Sequence, residues 1–181
     1  MKVFAVPTTN IFIMEALFST YDEASYEARV ASTDAEREAI FSIRMKVFVD
    51  EQKVPPEEEL DSYDLTALHF LISVKRLISD HAYEEEPLIA GTARLIDKGE
   101  GTGKIGRVAV LKEFRGRGLG ARLMRFIEAE ATLRGFERLI LEAQVSAISF
   151  YEKLGYVAEG EVFLDANIEH RLMKKEKLRR G

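Results

Sequence analysis

A chain of 181 residues, 46% apolar and 31% charged, is long enough for one domain with its own core. Its formal net charge of −5 argues against a surface that grips nucleic acid, yet leaves room for a local basic pocket. With no cysteine, the chain excludes disulfides, thiolate metal sites and cysteine nucleophiles, and no metal is expected.

Apolar residues in the first 24 positions are broken by Pro7, Thr8, Thr9, Asn10 and Glu15, so they form no signal-peptide core. No apolar run approaches the ~20 residues that span a bilayer, and the chain reads as cytoplasmic, without a membrane partner. Within this N-terminal extension, IFIMEALF is expected on a sheet edge or against a partner subunit, which leaves a homodimer open. Residues 25–176 read as a single domain and 177–181 as a solvated basic tail.

SYEARVA (25–31) alternates as a strand. Thr33 and Glu36 form a capping box before a helix with Ile40, Ile43, Met45 and Val47 among its apolar positions. KVPPEEELDSYD is expected as an acidic loop, with Pro55-Pro56 forbidding helix; it reads as solvated, its other reading being a preference for a cationic partner. ALHFLISVKRLI and PLIAGTARLID follow as strands, with SDHAYEEE and KGEGTGK as the loops around the second. KIGRVAVL is a fourth strand running into a glycine loop. Beyond it, Leu119, Leu123, Phe126, Ile127 and Ala131 recur at helical spacing up to Gly135. ERLILEA is a strand, SAISFYEKLG a short helix closed by Gly155, and YVAEGEVFL with IEHRLMKKE a final antiparallel pair. The class is α+β, with a mixed sheet and about four helices.

Three glycines between Gly116 and Gly120, flanked by Arg115 and Arg117, stand where a strand meets a helix. Helix N-termini leave amides unpaired and carry partial positive charge, so this is an anion cradle suited to phosphate. Taken alone, a tight turn with solvated arginines would fit as well. A Walker loop is ruled out by Ala121-Arg122 after the last glycine, and the dinucleotide fingerprint by the glycine spacing.

RGRGLG (115–120) matches Q/R-x-x-G-x-G/A, the pyrophosphate loop of the GNAT acyltransferases, and GRVAVLKEFRGRGLGARLM resembles the core of that superfamily. Gln144, Ala147 and Tyr151 resemble its N-x-x-A-x-x-x-Y signature, with Gln in place of Asn. IRMKVFVDEQKVP, the spaced Asp61, Asp64, Ala67 and His69, GTARL, GRVAV, AQ, and the late Asp165, Ile168, His170 and Met173 are similar to the ElaA/YjcF-like branch, over about residues 26 to 175.

The resemblance implies a three-layer α/β/α arrangement whose mostly antiparallel sheet of six to seven strands splays at Val108–Val110. It implies direct acetyl transfer from acetyl-CoA to an amine on a small molecule, a lysine or an N-terminus. Residues 115–121 (Arg115, Gly116, Arg117, Gly118, Leu119, Gly120, Ala121) would hold the pyrophosphate; Val108, Ala109, Val110 and Gln144 would meet the pantetheine arm. The Val110 amide would serve the thioester carbonyl. Tyr151 would protonate the departing thiolate; its other reading is packing. Glu51, Gln52, His69 and Arg94 are candidates for the acceptor side. By alternation His69 faces away from Leu68, Phe70, Ile72 and Val74, toward the acceptor cleft or into a structural contact. His170 and Asp165 are expected to pair across the DAN turn, serving the acceptor amine or binding each other structurally. The rival function is a catalytically silent acyl-CoA-binding regulatory module.

Overall fold

The computed structural model describes residues 25–75, 77–79, 82–83 and 86–176. The N-terminal extension, with the homodimer reading that rests on it, and the basic tail lie outside these residues.

β1 (Ser25–Val30) leads into α1 (Asp34–Arg44), whose start is the expected box. Thr33 Oγ1 accepts from the Glu36 amide at 3.2 Å, and the Glu36 carboxylate accepts from the Thr33 amide at 3.1 Å. The Ser32 amide and Arg29 also bond Glu36, holding its carboxyl down at about 2. Beyond Arg44 the helix widens into a π-helical segment, Met45–Glu51. α2 (Pro56–Glu59) then corrects the expectation that two prolines forbid helix. Pro56 stands at the first helical position, where an amide would have had no partner.

β2 (Leu68–Lys75) is shorter than the apolar run suggests: Leu77–Ser79 (β3) folds back on Ala82–Tyr83 (β4) as a separate small sheet. SDHAYEEE is therefore not all loop. β5 (Leu88–Asp97) and β6 (Thr102–Val110) follow, so part of KGEGTGK is already strand. Next come α3 (Leu119–Leu133), β7 (Arg138–Gln144), α4 (Ile148–Glu152), β8 (Val157–Asp165) and β9 (Ile168–Glu176).

The central sheet has seven strands in the order β1-β2-β5-β6-β7-β9-β8. Every pairing is antiparallel except β6 with β7. Both faces of β2 are covered. On one face Phe70 meets Phe126 of α3 edge-on at 6.2 Å, while on the other His69 meets Phe41 of α1 at 5.6 Å. Residues buried on both sides make a three-layer core, with Ile40 and Ile43 below and Leu119, Leu123 and Ile127 above. The architecture brings the ends of β6 and β7, the start of α3 and the α1–β2 connection to one place.

Candidate active site

β6 carries a bulge against β5: Thr92 faces Ala109 and Arg94 faces Gly106, leaving Arg107 and Val108 together opposite Ala93. Arg107 adopts φ +53°, a left-handed conformation that costs a bulky residue about 1–3 kcal/mol. Its guanidinium is anchored in return. Nε donates to the Glu59 carbonyl at 3.0 Å and lies 2.9 Å from the Glu59 carboxylate, and Nη2 donates to the Glu58 carbonyl at 2.9 Å.

On its other side β6 parts from β7. Parallel pairs run from Thr102–Arg138 to Ile105–Leu141, whereas β7 continues to Gln144 with only β9 beside it. The Leu111 amide donates to Ala90, and the Ala109 carbonyl presses on Gly91, so odd-numbered residues here address β5. By alternation the amides and carbonyls of Val108 and Val110 address the opening. A cavity of about 420 Å³ lies there, bounded by Phe48, Gln52, Arg94, Val108, Gln144 and Tyr151 among others.

The glycine loop follows β6 through a 3-10 turn (Lys112–Phe114), pinned by buried Phe114. Gly118 has φ +78° and caps α3 without a side-chain bond. Arg122 is the first residue to bond back, to Gly118 at 3.1 Å, so the amides of Leu119, Gly120 and Ala121 have no helical partner. A Cβ on Gly116 or Gly118 would meet nothing within 4 Å. Donors and open space together fit a phosphate group.

Arg115 turns back from this loop: Nε donates to the Val110 carbonyl at 2.8 Å and Nη2 to Glu51 at 2.7 Å. Glu51 thus meets Arg115 and is not among the residues bounding the cavity. Gln52 does bound it, accepting from Gln144 Nε2 at 2.8 Å. The longer amide of Gln144 thereby ties β7 to the end of the π-helical segment.

Tyr151 is 8% exposed, ring edges against Phe150 and Tyr156, and its side chain reaches the cavity. Burial pushes its hydroxyl up to about 12, so the proton stays on at neutral pH. His170 also borders the cavity, its ring stacked on Phe163. Its Nδ1 bonds the Ile168 carbonyl at 2.8 Å. A carbonyl only accepts, so Nδ1 is the donor, and Nε2 has no partner among the described residues. That corrects the expected pairing with Asp165, which sits at the tip of the β8–β9 turn; the histidine's own strand supplies a nearer acceptor.

His69 does not reach the cavity. It is buried under α1, with Nε2 2.9 Å from the Asp64 carbonyl, a structural role in place of the acceptor-side one. Arg94 does border the cavity but is committed. Nη1 and Nη2 bond Asp61 at 2.8 and 2.6 Å, and Nη1 also bonds Asp64 at 2.8 Å.

These pairs belong to a cluster that overturns the solvated-loop expectation. Arg44 (0% exposed) reaches Glu59 (2% exposed) at 2.5 Å and Asp64 at 2.6 Å. Arg44, Arg94 and Arg107 thus face Glu59, Asp61 and Asp64, three charges of each sign. The signal was in the pattern: Arg44 falls on the apolar stripe of Ile40, Ile43 and Val47, where a charge needs a counter-ion.

Arg94 holds Asp61 below the usual carboxylate range. For Asp64, burial alone would raise the value, but bonds from Arg44 and Arg94 pull it well down. Groups depressed on folding stabilise fully above their unfolded value, about 3.9, and lose that contribution as pH falls through the folded value. Burial pushes Glu59 the other way, against Arg44, so its contribution has the opposite sign. The expected net result is a melting temperature that drops from about pH 5 downward, with a shallower slope in Asp64→Asn. Calorimetric scans over that range check it; equal slopes would remove Asp64 from the acid response.

A family model described as an acetyltransferase (GNAT) domain matches residues 76–177. The N-acetyltransferase YjcF of Bacillus subtilis, itself described as uncharacterized, is 37% identical over 152 residues, 83% of this chain and 99% of that protein. The chain belongs to the GNAT acetyltransferase family. An acyl-CoA N-acyltransferase from Pseudomonas aeruginosa is 30% identical with a TM-score of 0.66, covering 84% of this chain and 99% of that one. ElaA of Escherichia coli, 24% identical at a TM-score of 0.68 over the same shares, has the same fold. The seven-stranded mixed sheet with its four helices is the GNAT fold, and this GNAT chain is an acyl-CoA-dependent N-acyltransferase enzyme. Among the described residues no helix is long and apolar enough to cross a membrane.

Proposed function

We propose that the chain moves an acetyl group from acetyl-CoA directly to a primary amine, using the opening between β6 and β7. The observation that carries this reading is the run of β6 beyond Ile105 that has no β7 partner, ending in a bare helix N-terminus with Tyr151 across the gap. Acetyl-CoA, when bound, supplies an acyl carbon open to an amine and a thiol as leaving group.

The amides of Leu119, Gly120 and Ala121 hold the diphosphate, with Gly116, Gly118 and Arg117 around it. Val108 and Val110 offer backbone groups to the pantetheine arm, and Ala109 keeps the strand attached to β5. The Val110 amide serves the acyl oxygen as charge builds there. Its carbonyl is already engaged by Arg115, which therefore braces the strand end as well as adding charge beside the loop. Tyr151 supplies the proton that the thiolate needs, and His170 Nε2 can take one from the amine. Gln52 and Gln144 set the spacing between acceptor wall and cofactor strand. We place the enzyme in the cytoplasm, in keeping with a cysteine-free chain that consumes an acyl-CoA.

Thiol release from acetyl-CoA in the presence of an amine panel tests the activity. Tyr151→Phe should lower that turnover by about 100-fold while calorimetric acetyl-CoA affinity stays near wild type. Undiminished turnover would return Tyr151 to packing.

A further inference from the structure

Of the cations bordering the cavity, three are matched by carboxylates, and Lys98 rests only on Tyr63. Arg94 meets Asp61 and Asp64; Arg107 meets Glu59; Lys104 meets Glu142 at 2.7 Å. Lys98 donates to the Tyr63 hydroxyl at 3.4 Å and lies over its ring at 5.0 Å. The carboxylates do not all find partners. Glu58 offers only its carbonyl to Arg107, and Asp165 stands at the β8–β9 tip, held by the backbone turn through Ala166 (φ +47°) and Asn167 (φ +62°). Both border the cavity with no cation against them. Glu58 belongs to the α1–β2 connection and Asp165 to the opposite hairpin, so the two flank the opening from separate elements. Inside it, the hydroxyl of Tyr151, a residue 8% exposed, has no hydrogen-bond partner among the described residues.

We propose that the acceptor is a small aliphatic diamine: one nitrogen is acylated near His170 and Tyr151 while the other stays charged against Asp165 and Glu58. The inference rests on the acyltransfer reading above. Between a diamine and an amino acid of equal length, two unpaired carboxylates against the single Lys98 ammonium, itself held by Tyr63, favour the diamine. In the reaction the C–S bond of the thioester breaks and a C–N bond forms. The acceptor ammonium gives up two protons: one passes by way of His170 to solvent, and the other balances the thiol, to which Tyr151 donates before being reprotonated. The second ammonium is unchanged.

Three probes of matched chain length test the assignment: 1,4-diaminobutane, 1-aminobutane and 4-aminobutanoate, each with acetyl-CoA and a thiol-release readout. The diamine is expected to exceed the monoamine in kcat/KM by about tenfold, with the amino acid slowest, since the two carboxylates attract a second ammonium and repel a carboxylate. In the Glu58→Gln, Asp165→Asn double variant the diamine-to-monoamine ratio should approach one. Added salt should narrow it in the wild type. A wild-type ratio near one, a ratio untouched by the double variant, or a preference for 4-aminobutanoate would each overturn the proposal, the last by pointing to Lys98. Failure of all three probes while acetyl-CoA binds calorimetrically would also reject the diamine class, leaving the acyl-CoA site standing. Absence of acetyl-CoA binding would instead remove the reading beneath it.

Discussion

Gly118→Glu should abolish useful acetyl-CoA binding while the protein stays folded. Gly118 has φ +78° at the cap of α3, a conformation that costs other L-residues about 1–2 kcal/mol. A Cβ there meets nothing within 4 Å, so no clash adds to that cost. The new carboxylate would instead stand among the amides of Leu119, Gly120 and Ala121, satisfying donors proposed for the diphosphate and repelling it. Losing about three charge-assisted hydrogen bonds, at roughly 1.5–3 kcal/mol each, predicts an affinity lower by about a thousand-fold or more. Calorimetry reads the affinity, with Gly118→Ala as the control that carries the backbone cost alone. If both variants bind alike, backbone shape rather than anion recognition is the loop's contribution.

Arg44→Met should be the most damaging single change to stability. The methionine fills similar space, but buried Glu59 keeps only Arg107, and Asp64 only Arg94, of their two guanidinium partners each. Breaking a buried pair from one side costs about 3–5 kcal/mol, because the remaining charge loses its compensation without regaining water. Denaturant unfolding measures the loss. Adding Glu59→Gln to Arg44→Met should recover part of it, since the buried carboxylate, by then facing Arg107 alone, is gone. A single variant that loses less than about 1 kcal/mol would show that solvent relaxes into the cluster.

These two positions mark how far local pattern carries. RGRGLG is readable because every requirement is met within six residues: positive φ, missing side chains and free amides. The helix after it is equally plain from Leu119, Leu123 and Ile127. Arg44 and Glu59 are harder, since burial of either depends on the other fifteen residues away, and Arg94 reaches Asp61 across thirty-three. An acidic stretch therefore reads as solvated until the guanidinium charges that cover it are placed. His69 shows a subtler limit. Alternation correctly puts it opposite Phe70, but alternation does not say that Phe41 and the Asp64 carbonyl cover that face. His170 shows the converse: its motif offers Asp165 as a partner, while the ring bonds the Ile168 carbonyl two residues away.

The parting of β6 from β7 has a mechanical side. The seven strands form two plates, β1-β2-β5-β6 and β7-β9-β8, riveted along four residue pairs from Thr102–Arg138 to Ile105–Leu141. Beyond the rivets no backbone ladder joins them, and Gln144 of β7 reaches across to Gln52 at the end of the π-helical segment. A few degrees of rotation about that short seam would change the width of the opening while leaving each plate's own hydrogen bonds intact. The width of the opening is thus set at that short seam and not within either plate's own ladder.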